Sequence, residues 1–101
     1  MSRLAVFGAG YAGLVTGAGF AELGHRVVLR DVDAGKIDAL TSGRAPFFEP
    51  GLEELLERNR ERLDFTLDAG EALEGADFVF VCVGTPAWAL PSYAPTSPPQ
   101  R

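Results

Sequence analysis

Apolar and polar positions along the chain switch between two periods. Leu4 to Phe7 is a short unbroken apolar run, with the length and content of a buried strand. From Tyr11 to Leu23 the larger residues Leu14, Val15 and Phe20 are interleaved with Gly13, Gly17, Ala18 and Ala21. That predicts a helix whose axis can approach a sheet closely, stopped at Gly24. Val27, Val28 and Leu29, between Arg26 and Arg30, predict a second strand, and Asp33 is placed to cap a helix carrying Ile37 and Leu40 as far as Ser42 and Gly43. Pro50 suits the first position of a third helix, where Leu52, Leu55 and Leu56 form a buried stripe beside Glu53, Glu54, Glu57 and Arg58. Leu63 to Leu67 predicts a short strand. Asp68 and Glu71 have capping-box spacing before a brief helix, and Phe78 to Val83 is a continuous apolar run typical of a central parallel strand.

Strands alternating with helices predict an α/β fold, a Rossmann-type parallel sheet with flanking helices, in the strand order 3-2-1-4. Only the first half of a dinucleotide-binding fold is expected. Composition alters the picture at one place: all 14 acidic residues and all 12 glycines lie at or before Gly84, while residues 87–101 hold four of the seven prolines. The expected organisation is therefore a partial Rossmann domain over 1–86 and a disordered tail over 87–101.

A net charge of −5 gives no broad basic face for a phosphate backbone or an anionic bilayer, so neither nucleic acid nor membrane is an expected partner. The single cysteine forms no internal disulfide, and no apolar run approaches the roughly 20 residues of a membrane span. The expected location is cytoplasmic.

The candidate chemistry gathers at strand ends. Gly8-Ala9-Gly10-Tyr11-Ala12-Gly13 matches G-x-G-x-x-G between a strand and a helix. In that context Gly8 serves a tight turn, Gly10 a close approach of backbone to a pyrophosphate, and Gly13 the packing of helix on strand. The helix start supplies free N–H groups and the positive end of its dipole. A glycine-rich turn with no ligand is the alternative. Asp31 ends the second strand, about 20 residues beyond the motif, where a carboxylate accepts from an adenosine ribose and repels a 2′-phosphate. This favours NAD over NADP, with Arg30 as a group that can soften the repulsion.

Lys36 reaches either the adenosine end of the cofactor or water, and water is the simpler expectation. Thr85 follows the last strand, at the carboxyl edge where such sheets bind ligands; it offers a hydroxyl, or merely a turn residue before Pro86. Cys82, inside an apolar run, is expected to be a buried small hydrophobe, and His25 a surface turn residue. No catalytic residue and no metal site is expected.

Taken together, GAGYAGLVTGAGFAELGH, DVDAGKIDAL, PFFEPGLEELL, RLDFTLD and ADFVFVCVGTP resemble the NAD-binding domain of the UDP-glucose/GDP-mannose dehydrogenase family over about residues 3–86, most closely its UDP-glucose 6-dehydrogenase branch. EPGLEELL and VGTP at these distances are the specific part. The resemblance implies that Gly8, Ala9, Gly10, Tyr11, Ala12 and Gly13 line the NAD pyrophosphate, that Asp31 and Lys36 contact the adenosine ribose side, and that Thr85 joins them. Ala12 stands where valine is usual, and Phe47-Phe48 where Ile-Tyr is more frequent; both changes keep apolar character.

The implied parent reaction is the NAD-dependent oxidation of a nucleotide sugar to its uronate through a thioester on a catalytic cysteine. The family's catalytic and sugar-binding segments follow the point corresponding to Pro86. This chain alone is therefore expected to be inactive and to bind NAD weakly, with the nucleotide sugar a ligand of a full-length parent only. A frameshift just after Pro86 is the expected origin of the tail, with a sequencing error or a real short product as alternatives. Two further readings stay open. One is a fragment of a dehydrogenase acting on GDP-mannose or UDP-N-acetylmannosamine; the other is a noncatalytic NAD-binding or assembly module, self-associating through the exposed edge of the Phe78 to Val83 strand.

Overall fold

Branched and long apolar side chains concentrate in four short runs separated by helical segments, and each run becomes a strand. The computed structural model describes residues 1–82. In chain order it contains β1 (Arg3–Phe7), α1 (Tyr11–Glu22), β2 (Arg26–Arg30), α2 (Ala34–Thr41), α3 (Leu52–Arg58), a 3-10 turn (Arg60–Arg62), β3 (Leu63–Thr66), α4 (Ala69–Leu73) and β4 (Phe78–Val81). The strands form one sheet in the order β3-β2-β1-β4, every pair parallel. This is the Rossmann-type order that the sequence predicts.

The two faces of the sheet are unequal. Leu4 and Val6 of β1 lie opposite Val27 and Leu29 of β2, and these four bury against Leu14, Ala18 and Ala21 of α1 together with Leu40, Leu52, Leu56 and Leu63. The other face is thinner: Ala5 and Val28 meet Ala72 of α4, with Phe7 and Ala76 alongside. The small residues of α1 set its distance from the sheet. A Cβ on Gly17 would stand 3.1 Å from a methyl of Leu29, and a Cβ on Gly13 only 1.7 Å from the Gly8 carbonyl oxygen.

Local signals in the sequence are met with three adjustments. Asp33 caps α2 by accepting the Lys36 N–H at 3.2 Å, and Asp68 caps α4 by accepting the Glu71 N–H at 3.0 Å. The return half of the second capping box is not made. Glu71 instead accepts from the Thr66 hydroxyl, whose oxygen accepts the Asp68 N–H. Pro50 is not the first residue of α3: Gly51, in the left-handed region at φ 84°, is the N-cap, and the helix starts at Leu52. β4 has β1 as its only neighbour among the described residues, which leaves Phe78, Val79 and Val81 exposed despite their apolar character.

Two side chains depart from expectation. His25 is half-buried rather than a free turn residue, because its Nδ1 accepts the Ser2 N–H at 3.1 Å and its ring lies edge-on to Phe20. Cys82 is half-buried, not fully buried, and packs against the larger core cluster. Asn59, 3% exposed, fastens α3 to α1 by donating to Glu22 Oε1 at 2.7 Å while also donating to the Leu55 carbonyl at 3.0 Å. That bond first, and then the one from Arg58, hold the Glu22 carboxyl below its ordinary range. The boundary at residue 86, the tail 87–101, Val83 and Thr85 lie outside the described residues.

Candidate functional site

Three elements converge at the carboxyl edge of the sheet: the turn from β1 into α1, the end of β2, and the first turn of α2. The first of these is built from glycines for separate reasons. Gly8 has φ 107°, which a side chain would strain, and its N–H donates to the Arg30 carbonyl at 2.7 Å. Gly13 leaves room for the Gly8 carbonyl against the helix. Gly10 is the N-cap of α1 in an extended conformation open to any residue, and a Cβ there would meet nothing within 4 Å. Its lack of a side chain serves open space beside the chain rather than the chain's own packing.

That open space lies beside a helix start that no side chain caps. α1 has no side-chain cap and no acidic residue in its first turn, and its first backbone bond runs from the Leu14 N–H to the Gly10 carbonyl at 2.9 Å. The N–H groups of Tyr11, Ala12 and Gly13 precede that bond and have no helical acceptor. Free donors and the positive end of a twelve-residue helix make this a place where an anion is stabilised. With no Cβ on Gly10, the space beside these donors stays open.

Asp31 stands beside the turn. Its Oδ2 accepts the Ala9 N–H at 2.8 Å and lies 3.5 Å from Lys36 Nζ, while its Oδ1 accepts the Asp33 N–H at 2.9 Å. Burial pushes its carboxyl up. The Ala9 and Asp33 N–H groups and the Lys36 ammonium outweigh that, so the group sits below the ordinary carboxylate range and is ionised near neutrality. Lys36 is therefore turned toward Asp31 instead of water. Arg30 is drawn to the other face, its Nε donating to the Leu67 carbonyl at 3.1 Å and its guanidinium 5.7 Å from the Phe7 ring centre. The negative charge at the end of β2 is thus opposed by Lys36 and not by Arg30.

The structure brings Gly8, Ala9, Gly10, Tyr11, Ala12, Gly13, Asp31 and Lys36 together at one edge. Thr85 falls outside the described residues. Sequence reasoning missed the bond from Ala9 to Asp31, and no residue spacing signals it, because it depends on the register of β1 on β2. It also missed the contact of Tyr11 with Phe47, whose rings lie 6.0 Å apart and seat the loop before α3 on the start of α1. A wide surface hollow lined by Pro46, Phe48, Glu53 and Arg58 among others shares no residue with the glycine turn. Among the described residues there is no group of three or more His, Cys, Asp and Glu side chains able to hold a metal, and no helix long and apolar enough to cross a membrane.

Comparison with known proteins agrees on one assignment. Residues 2–92 match the NAD-binding domain of the UDP-glucose/GDP-mannose dehydrogenase family. A UDP-glucose 6-dehydrogenase of Bacillus subtilis (strain 168) is 47% identical over 88 residues, covering 85% of this chain and 19% of its own length. The fold superposes on a UDP-glucose dehydrogenase from the archaeon Pyrobaculum islandicum with a TM-score of 0.81 at 48% identity, covering 85% of this chain and 20% of that one. The corresponding values for the GDP-mannose dehydrogenase of Pseudomonas aeruginosa, solved as a ternary complex, are a TM-score of 0.79 at 43% identity, covering 83% and 20%. The chain thus spans about one fifth of the length of these relatives.

Proposed function

Because this chain belongs to the UDP-glucose/GDP-mannose dehydrogenase family through its NAD-binding domain, we propose that the start of α1 is the seat of the NAD pyrophosphate and the end of β2 the seat of its adenosine ribose. The observation that carries this reading is the uncapped Gly10 start, open to its surroundings and adjoining the ionised Asp31. Bound NAD supplies the hydride acceptor of an alcohol oxidation. The chain's own residues bind and orient it. The N–H groups of Tyr11, Ala12 and Gly13 donate to phosphate oxygens, the Asp31 carboxylate accepts a ribose hydroxyl, and Lys36 donates on the same side. Thr85 is proposed as a further cofactor contact on the family's pattern alone.

Asp31 also sets the choice of cofactor. A 2′-phosphate would meet a carboxylate held ionised, with Arg30 engaged elsewhere. Titration of the chain with NAD and with NADP, followed by amide chemical shifts, is expected to give NADP a dissociation constant about tenfold or more above that of NAD. Equal affinities would overturn the ribose assignment.

For the full-length protein that carries this domain we propose the oxidation of UDP-glucose to UDP-glucuronate. The UDP-glucose relatives reach 49% identity, against 42% for a GDP-mannose 6-dehydrogenase of Pseudomonas aeruginosa, and that difference favours the former sugar. No residue among those described is assigned to catalysis, and the chain by itself is expected to turn over no UDP-glucose. The side of β4 away from β1 has no partner among the described residues and, with its exposed Phe78, Val79 and Val81, suits a further strand. For the isolated chain that strand is proposed to come from a second copy; a monomer by light scattering would contradict it.

A further inference from the structure

Ala9 is fully buried, so its N–H has no water to turn to and needs an acceptor within the protein. No backbone carbonyl supplies one. The neighbouring Gly8 N–H takes the Arg30 carbonyl, in continuation of the β1–β2 pairing, whereas the Ala9 N–H takes a carboxylate oxygen of Asp31, the residue just after β2. The same carboxylate is anchored from a third direction. Its other oxygen accepts the Asp33 N–H, Asp33 caps α2 at Lys36, and Lys36 Nζ returns to Asp31. The glycine turn, the end of β2 and the first turn of α2 are closed into one ring of bonds through a single side chain.

We infer that Asp31 is a positioning residue for the glycine turn: by holding the Ala9 N–H it fixes the start of α1 for phosphate before any ligand arrives, apart from its contact with ribose. The inference rests on the NAD reading for the identity of the ligand, but not for the bond itself. The bonding capacity of the group allows both roles. A carboxylate has about four acceptor sites, and three are occupied by Ala9, Asp33 and Lys36, which leaves one for a ribose hydroxyl without releasing the turn. Removing the carboxylate leaves a buried donor without a partner, and the turn can recover one only by moving.

The test uses a probe that lacks both ribose hydroxyls, 2′,3′-dideoxyadenosine 5′-diphosphate, so that direct reading of the ribose drops out. Binding to the whole chain is followed by amide shifts. Asp31→Ala is expected to weaken the probe about fivefold or more, and Asp31→Asn, whose amide oxygen can still accept from Ala9, to restore most of that loss. A purely ribose-reading Asp31 predicts no change in either variant. A purely electrostatic one predicts tighter binding of the anion by both, and either result overturns the inference.

A second measurement needs neither variant nor ligand. The Ala9 amide resonance of the unaltered chain is expected to move as acid protonates its acceptor, with a midpoint below the ordinary carboxylate range. The titratable groups facing that acceptor are Lys36 and Asp33 of the α2 start, while Arg30 is engaged on the opposite face. An Ala9 resonance indifferent to this titration overturns the inference. If the unaltered chain bound neither the probe nor NAD, the NAD reading would fail by itself, and the Ala9 titration would still decide whether the bond fixes the turn.

Discussion

The starts of α1 and α4 solve the same physical problem in opposite ways. Every helix leaves its first N–H groups without helical acceptors, and α4 meets that need with its own Asp68, as α2 does with Asp33. α1 is the longest helix of the three and meets it with nothing: its N-cap is Gly10, no side chain folds back, and no acidic residue sits in the first turn. α3 also lacks a side-chain cap, yet Glu53 and Glu54 in its first turn bring negative charge that disfavours a bound anion. A capped start stabilises the fold and is complete. An uncapped start beside an open space gives up that stabilisation and keeps its donors for a ligand.

The contrast breaks most severely at Gly13. An alanine there would place its Cβ 1.7 Å from the Gly8 carbonyl, so the turn and α1 cannot both keep their positions. Gly13→Ala is expected to cost about 3 kcal/mol or more, measured by denaturant unfolding. Gly10→Ala should separate binding from stability. Its Cβ meets nothing in the folded chain, so stability should fall by no more than about 1 kcal/mol, while NAD affinity should fall about tenfold or more because the cradle is filled. An affinity left unchanged would mean that the open space is incidental.

Asp68→Ala is the reverse case. It removes the α4 cap and should cost about 1 kcal/mol of stability with NAD affinity unchanged. The smallest effect is one of pH. The carboxyl of Asp31 titrates lower in the folded chain than its ordinary value of 3.8, so its contribution to stability is present above that value and is lost as pH falls through the depressed one. The stability difference between the unaltered chain and Asp31→Asn should therefore shrink as pH falls below about 4, and a constant difference would contradict the ionic character of the bond.

Much of this was legible before the structure, and the parts that were not share a cause. The alternation of apolar runs gives the strand order, Asp33 and Asp68 announce their helices, and the glycine spacing marks the turn. These are local signals, each carried within a few residues. Pro50 misleads because a proline also suits the turn before a helix, and Gly51 takes the left-handed conformation that makes α3 start later. His25 and Asn59 acquire their partners, Ser2 and Glu22, only when β1 lies on β2 and α3 on α1. The bond from Ala9 to Asp31 is of the same kind. Residue spacing placed the carboxylate at the strand end, but what it holds there is decided by tertiary register.

The most direct test of the central claim is an NAD titration of the chain followed residue by residue in amide spectra. The account predicts that the Tyr11, Ala12 and Gly13 amides shift with a common affinity, while the Glu71 amide at the Asp68 cap of α4 keeps its bond and moves little. Shifts spread equally over all the helix starts, or none at α1, would contradict it.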